Sequence, residues 1–145
     1  MKISISITSV IDDICADSAI RAIFNRRDTV PPLLTGDHCE ALGRVVVTAA
    51  AMTAGRLAAR LTKFAVSEAD GTIGFEVADT TRVRPEALRH YLETAVKFAA
   101  MYLVAVPAGD TAAADNYLRC HNLTLDSAAT ALDSRPALTL RPHYC

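Results

Sequence analysis

Apolar and polar residues alternate at the start of the chain, with isoleucine at every second position from Ile3 to Ile7. This pattern predicts a half-buried strand, because successive strand side chains point to opposite faces of a sheet. From about Val10 to Phe24 the apolar residues recur at helical spacing, which predicts a first helix. Ser9 is the expected cap of that helix.

The centre of the chain predicts a long amphipathic helix. Asp37 and Glu40 have the spacing of a helix-capping pair. Beyond them, apolar residues recur at helical spacing and should form one buried stripe. The members of that stripe are Leu42, Val46, Ala50, Thr53, Leu57, Leu61 and Phe64. The valines at 45–47 favour a strand by propensity, which is the alternative for that short stretch, but the helical period runs through them.

A β-hairpin is predicted after this helix. Asp70-Gly71 is typical of a type I′ turn, because glycine tolerates the positive φ that such a turn requires. Ile73, Phe75 and Val77 alternate with smaller or polar residues on the outgoing arm. The pattern of the incoming arm is weaker. We therefore expect residues 64–83 to form a hairpin that projects from the domain.

Pro85 is well suited to the first position of a third helix. The buried stripe expected for this helix is Leu88, Leu92, Ala95, Ala99, Tyr102 and Val106. After Lys97 the polar face ends, and Phe98–Val106 is apolar on all sides. Such a segment is either central in the fold or covered by a neighbouring molecule.

A last helix should follow Gly109, capped by Asp110 or Thr111 and closed by Pro136. Ala137–Arg141 alternates weakly and could form a short strand beside the N-terminal one. Together these patterns predict a single domain, residues 1–145, that is mainly α with a small β component. The expected architecture resembles a four-helix bundle, with a β-hairpin between the two central helices and short terminal strands.

Composition narrows the classes of function. Apolar residues make up 51% of the chain, aromatic residues 6%, and tryptophan is absent, so the core should consist of small aliphatic side chains on closely packed helices. The net charge of -1 argues against a dedicated nucleic-acid-binding protein. Basic residues cluster at 26–27, 56–63 and 82–84. A phosphate-binding strip is one interpretation of them, but a solvated face is favoured, because the aromatic residues needed to stack on bases are not interleaved with them. The longest apolar run is far shorter than the ~20 residues that span a bilayer, and the four dispersed cysteines favour reduced thiols in a soluble cytoplasmic protein.

Metal-binding atom types occur in three places: His38-Cys39, Cys120-His121, and His143 with Cys145. None has the spacing that makes zinc motifs specific, and adjacent helical side chains diverge too far to share one ion. The sequence also contains neither a G-x-S-x-G motif nor a glycine-rich phosphate loop. We therefore expect no metal, no cofactor and no catalytic residue.

The order of elements resembles that of the head–tail connector (adaptor) proteins of tailed bacteriophages. The resemblance lies in the leading helix after Ser9, the long helix opened by Asp37–Glu40, the helix beginning at Pro85–Leu88, and the closing helix after Gly109-Asp110. The excursion Phe64–Val83 between the central helices is similar to the loops that such proteins project onto their neighbours.

The resemblance implies a structural subunit, not an enzyme, that assembles with itself as a ring and contacts a portal or tail protein. It would be located in the virion, or in the cytoplasm of the bacterial host during assembly, with neither a specific nucleic acid nor a membrane as partner. The expected contact residues are Ile73, Phe75, Val77, Arg82, Arg84, Phe98, Met101 and Val104. The alternative is a small helical ligand-binding or regulatory domain, with a pocket near Tyr91, Phe98 and Tyr102. A metal-dependent enzyme is a third hypothesis.

Overall fold

The structure, a computed structural model, describes residues 1–24, 36–79 and 82–133, and of residues 36–40 the backbone alone. Its elements are β1 (Lys2–Ser6), α1 (Ile7–Ala16), α2 (Ser18–Phe24), α3 (Gly36–Arg56), a 3-10 turn (Ala58–Arg60), β2 (Leu61–Ser67), β3 (Thr72–Val77), α4 (Pro85–Ala105) and α5 (Thr111–Asp133). The protein is therefore mainly α with a small β component, as the patterns predicted.

The predicted first helix is two helices. The hydroxyl of Ser6 accepts a hydrogen bond from the Ser9 amide at 3.3 Å, so α1 begins at Ile7, and Ser9 is inside it instead of capping it. At Asp17 the backbone is extended and α1 ends. The Asp17 carboxylate then accepts the amides of Ala19 and Ile20, at 3.0 and 3.1 Å, and so caps the start of α2. The prediction of one helix failed because the same carboxylate fits a cap as well as an exposed helical position.

The central helix is shorter than predicted. The valines at 45–47 are helical, but α3 ends at Arg56, and Leu61 and Phe64 belong to β2. Leu57 is buried just beyond the helix end. Beyond Leu61 the backbone bonds to β3 instead of continuing the helical ladder. The side chains of the predicted capping pair, Asp37 and Glu40, lie outside the described part of the chain.

The three strands form one antiparallel sheet in the order β1-β3-β2. The pair Ser67–Thr72 closes the hairpin, leaving residues 68–71 as its loop. The predicted type I′ turn at Asp70-Gly71 is wrong. Gly71 has a φ of 64°, but Asp70 does not have a positive φ, since no described residue other than glycine does. A type I′ turn would require a positive φ at Asp70 as well.

Helix α4 is the centre of the domain. It packs against α5, α3, α1, α2 and β1, and its buried residues are Leu88, Leu92, Ala95, Val96, Ala99, Ala100, Met101 and Ala105. Pro85 occupies the first turn as predicted. Most of the apolar segment 98–106 therefore lies within the fold of the single chain, although Val106, expected in the buried stripe, is 50% exposed.

Helix α5 covers one side of α4. The Asp110 carboxylate accepts the Ala113 amide at 3.1 Å and caps the helix, which was one of the two predicted caps. The inward face of α5 includes Tyr117 and His121, which are 4% and 1% exposed and were not expected in the core. The predicted closing residue Pro136 and the predicted strand 137–141 lie outside the described residues.

Candidate functional site

The apolar arm of the hairpin lies in the core of its own chain. β3 is the central strand of the sheet, and Ile73, Phe75 and Val77 are 0%, 0% and 2% exposed. Phe75 is opposite Ile3 on one side and Phe64 on the other. The prediction of a projecting finger with these side chains on its surface is therefore wrong. The physical reason is that β1, from the N-terminal part of the chain, widens the hairpin into a three-stranded sheet, and the apolar face of this sheet packs against α3 and α4.

The other predicted contact residues are divided between surface and core. Arg82 and Arg84 are exposed. Phe98 is half-buried, with the Lys97 ammonium 5.0 Å from its ring centroid. Val104 is also half-buried, whereas Met101 is 1% exposed and belongs to the core. The two arginines and part of the α4 end thus remain accessible to a neighbouring molecule.

Two surface grooves lie on the flanks of α3. Arg44 and Thr48 stand between two open grooves, called here the α3 grooves. The first has a volume of about 840 Å³ and is lined by Ile7, Thr8, Ile11, Gly43, Arg44, Val47, Thr48, Glu68 and Gly71. The second has a volume of about 390 Å³ and is lined by Ala41, Arg44, Val45, Thr48 and Leu103. α1 and the hairpin loop wall the first groove, and α4 walls the second.

The linings of the α3 grooves combine half-buried aliphatic side chains with exposed charged ones. Ile11, Val47 and Leu103 contribute aliphatic surface, while Arg44 and Glu68 contribute opposite charges. The Thr48 hydroxyl donates to the Arg44 carbonyl oxygen at 3.0 Å, so this polar group is already satisfied within the helix. An apolar centre with a polar rim is the usual composition of a protein–protein contact.

Sequence reasoning missed the α3 grooves. A signal was present on α3, where Thr48 and Ala51 are small residues on the side opposite the buried stripe and Gly43 lies at the border of that stripe. A Cβ atom added at Gly43 would meet nothing within 4 Å. Small residues let a neighbouring element approach closely, but the pattern alone does not show whether that element comes from the same chain.

Two residues of the predicted basic face serve the chain's own packing. The Arg60 guanidinium donates two hydrogen bonds to the Asp133 carboxylate, at 2.9 and 2.9 Å. Arg56 donates to the side-chain oxygen of Asn122. The two contacts join the end of α3 and the 3-10 turn after it to α5. The interpretation as a phosphate-binding strip is therefore not favoured for these two side chains.

His121 is a buried titratable group. Its Nδ1 lies 2.8 Å from the Ala95 carbonyl oxygen, so the tautomer with a proton on Nδ1 makes this hydrogen bond. Its Nε2 has no hydrogen-bond partner among the described residues. Burial lowers the pKa of His121, the bond to Ala95 raises it, and the charge of Arg56 lowers it again, with a net decrease. The imidazole is therefore held neutral.

We expect acid to destabilise the protein through His121. The imidazole has a pKa of about 6.5 in an unfolded chain and a lower pKa in the fold, so as the pH falls the unfolded chain binds the proton first. The contribution to the free energy of unfolding is therefore fully present above about pH 6.5 and is lost below it, by at most about 1.4 kcal/mol per pH unit. Urea denaturation across this pH range measures the loss.

His121→Gln should flatten this part of the pH profile, because the new side chain does not titrate. His90→Gln is the matched control, since His90 is an exposed histidine on α4, and it should retain the decrease in stability. Equal slopes in the wild type and in the His121 variant would contradict the prediction.

No group of three or more histidine, cysteine, aspartate or glutamate side chains suited to a metal ion occurs among the described residues. Of the three places with metal-binding atom types, where no metal was expected, His38-Cys39 and the pair His143 and Cys145 lie outside the described side chains. His121 of the third is buried in the core. Within the described ranges, no helix has both the length and the apolar character needed to cross a bilayer.

Comparisons of the chain with protein-family models, with curated proteins and with solved structures found no match.

Proposed function

We propose that the protein is a structural assembly subunit, a head–tail connector (adaptor) of a phage or prophage that forms a ring with copies of itself. The observation that carries this proposal is the pair of α3 grooves, which offer apolar surface on both sides of one exposed helical ridge. Contiguous apolar surface with a polar border favours association with another protein.

The proposed ring contact is heterologous, meaning that two different surfaces of each copy meet. The α3 grooves form one surface, and the exposed Arg82 and Arg84 contribute to the other. Repeated heterologous contacts close into a ring when the rotation between neighbours permits it. The α3 grooves thus take the role first assigned to the apolar arm of the hairpin.

The rest of the proposal comes from the resemblance in element order. It assigns a portal or tail protein as the second partner, and the virion, or the host cytoplasm during assembly, as the location. It assigns no catalytic residue and no cofactor. These points are tested together by the genes that neighbour the coding sequence, which we expect to encode portal, capsid and tail proteins.

A direct test of the contact is Thr48→Tyr. Thr48 is exposed and borders both α3 grooves, so a tyrosine there should obstruct both without disturbing the core. We expect rings of the wild type by electron microscopy, alone or with the neighbouring portal protein, and association weakened by about tenfold or more in the variant. Unchanged melting temperatures would show that the monomer remains folded.

Thr111→Tyr is the matched control, because Thr111 is an exposed threonine on α5, away from the grooves, and it should assemble normally. Equal assembly by both variants would exclude the α3 grooves as the contact. A monomer that forms no ring with the portal protein, encoded among genes unrelated to virions, would overturn the function itself.

The alternative, a small ligand-binding or regulatory domain, has one observation in its favour. The larger α3 groove, at about 840 Å³, falls within the roughly 300–1,000 Å³ of small-molecule sites. The ligand pocket predicted near Tyr91 is less suitable. Tyr91 lines a groove with His90 and Leu123 that has a volume of about 200 Å³. Saturable binding of a small molecule by a monomer, blocked by Thr48→Tyr, would favour this alternative over the ring.

A further inference from the structure

Within the described part of the chain, β2 is an edge strand of the sheet. The sheet order places it beside β3 alone, and no strand among the described residues pairs with its outer side. The one irregularity in its register lies between Leu61 and Lys63, so Phe64–Ser67 pairs regularly with β3. A strand edge of this kind carries unpaired amide and carbonyl groups that can hydrogen-bond to another strand.

The solvent face of the sheet is arranged in rows across the three strands. Lys2 and Lys63 both lie opposite Glu76 in one row, and Ser4 and Ala65 both lie opposite Gly74 in the next. Beyond Ala65 on β2, the Ser67 hydroxyl donates to the Asp70 carboxylate at 3.1 Å. The edge of β2 therefore has a cation towards its beginning, a small residue at its centre and an anion just beyond its end.

This order of charges is self-complementary under a two-fold rotation. We propose that two copies of the chain pair through β2, antiparallel, with the two-fold axis at Ala65. Counting outward from the axis, Ala65 then faces Ala65 of the second copy, and Phe64 faces Val66. Lys63 faces Ser67, beside Asp70. Each Lys63 thus meets a carboxylate of the other copy, and this happens twice because the contact is isologous.

The core face of β2 supports the same pairing. Phe64 and Val66 are only half-buried in the single chain, although Phe64 lies 5.3 Å from Phe75 between ring centroids. Pairing about Ala65 places each Phe64 directly opposite a Val66, and aromatic–β-branched pairs across strands are stabilising. The small Ala65 lets the two strands approach on the other face. The dimer surface adjoins the larger α3 groove at the hairpin loop, where Glu68 and Gly71 flank Asp70 in sequence, but it shares no lining residue with that groove. The dimer proposal therefore rests on other residues than the proposed ring.

Cysteine trapping tests the geometry. Ala65→Cys places two cysteines directly opposite each other at the axis, within reach of a disulfide. We expect a covalent dimer on mild oxidation, well above the background of the wild type. Ser4→Cys is the matched control, because Ser4 lies in the same row on the other edge strand, and it should remain at background. A cross-link that forms only when the two variants are mixed would show β1–β2 pairing and overturn the two-fold dimer.

Charge exchange tests the recognition. Lys63→Glu should weaken the dimer by about tenfold, since it replaces two attractions with two repulsions, and Lys63→Glu/Asp70→Lys should restore it. Lys2→Glu creates the same repulsion with Glu76 within one chain but lies on β1, so it should leave the dimer unchanged. Sedimentation equilibrium measures the dissociation constants. Equal effects of the two single variants, no recovery in the double variant, or a monomer at all concentrations would each overturn the proposal.

Discussion

Phe75→Asp should unfold the isolated protein. Phe75 is fully buried in the central strand of the sheet, between Ile3 and Phe64. Phe75→Ala alone should cost about 3–5 kcal/mol through the cavity that it leaves. Aspartate adds the cost of a buried carboxyl group without a partner, and the sum approaches the total stability of a small domain, about 5–15 kcal/mol. Circular dichroism and urea denaturation measure the effect.

Thr72→Asp introduces the same carboxylate on the same strand but on the solvent face of the sheet. It should change the free energy of unfolding by less than about 1 kcal/mol. A Phe75→Asp protein that keeps the wild-type melting temperature would contradict the burial of β3. Such a result would also restore the projecting hairpin as the contact surface.

Asp17→Ala should have the second-largest effect, about 2–4 kcal/mol, because one carboxylate serves two purposes. It caps α2 through the amides of Ala19 and Ile20, and the loss of a cap costs typically about 1 kcal/mol. It also accepts the hydroxyl of Tyr117 at 2.7 Å. A buried hydroxyl left without its acceptor adds about 1–3 kcal/mol. Denaturant titration of the variant measures the total.

Asp17→Asn is the matched control, since its amide oxygen can still accept all three hydrogen bonds, and most of the stability should remain. Tyr117→Phe should be costly in the wild-type background and nearly neutral beside Asp17→Ala, because the hydroxyl has then already lost its partner. Strictly additive effects of Asp17→Ala and Tyr117→Phe would show that the two side chains do not interact.

The same contact predicts a loss of stability in alkali. Burial raises the pKa of Tyr117 above its ordinary value, and the hydrogen bond and charge of Asp17 raise it further. The fold therefore favours the protonated phenol. The pKa of tyrosine in an unfolded chain is about 10, so the contribution of Tyr117 to the free energy of unfolding is fully present below about pH 10 and is lost as the pH rises above it. Tyr117→Phe should flatten this decrease. An identical alkaline profile in the variant would contradict the assignment.

Local patterns predicted the elements whose period was continuous. The isoleucines of β1 alternate, and both inward ones are buried. Pro85 and the spacing after it indicated α4, and Asp110 indicated the start of α5. These features depend on residues close in sequence, because side-chain period and capping chemistry act over one or two turns.

Element ends were less predictable where two structures fit the same residues. Leu57, Leu61 and Phe64 continue the helical spacing of α3, yet the last two also fit a strand, and pairing with β3 decided between them. Asp17 fits an exposed helical position as well as a cap. In both places the difference in free energy between the two local structures is small, and the free energy of tertiary contacts is larger.

The sequence by itself determined which side chains of β3 share a face, since alternation follows from strand geometry. Only the tertiary structure decided that this face is internal. The alternation of Ile73, Phe75 and Val77 is the same whether the hairpin projects or is covered. The decision came from elements distant in sequence: Ile3 of β1 pairs with Phe75, and α3 and α4 pack against the sheet. The α3 grooves and the edge position of β2 were likewise decided by the tertiary structure, because both depend on which helices and strands pack against each other.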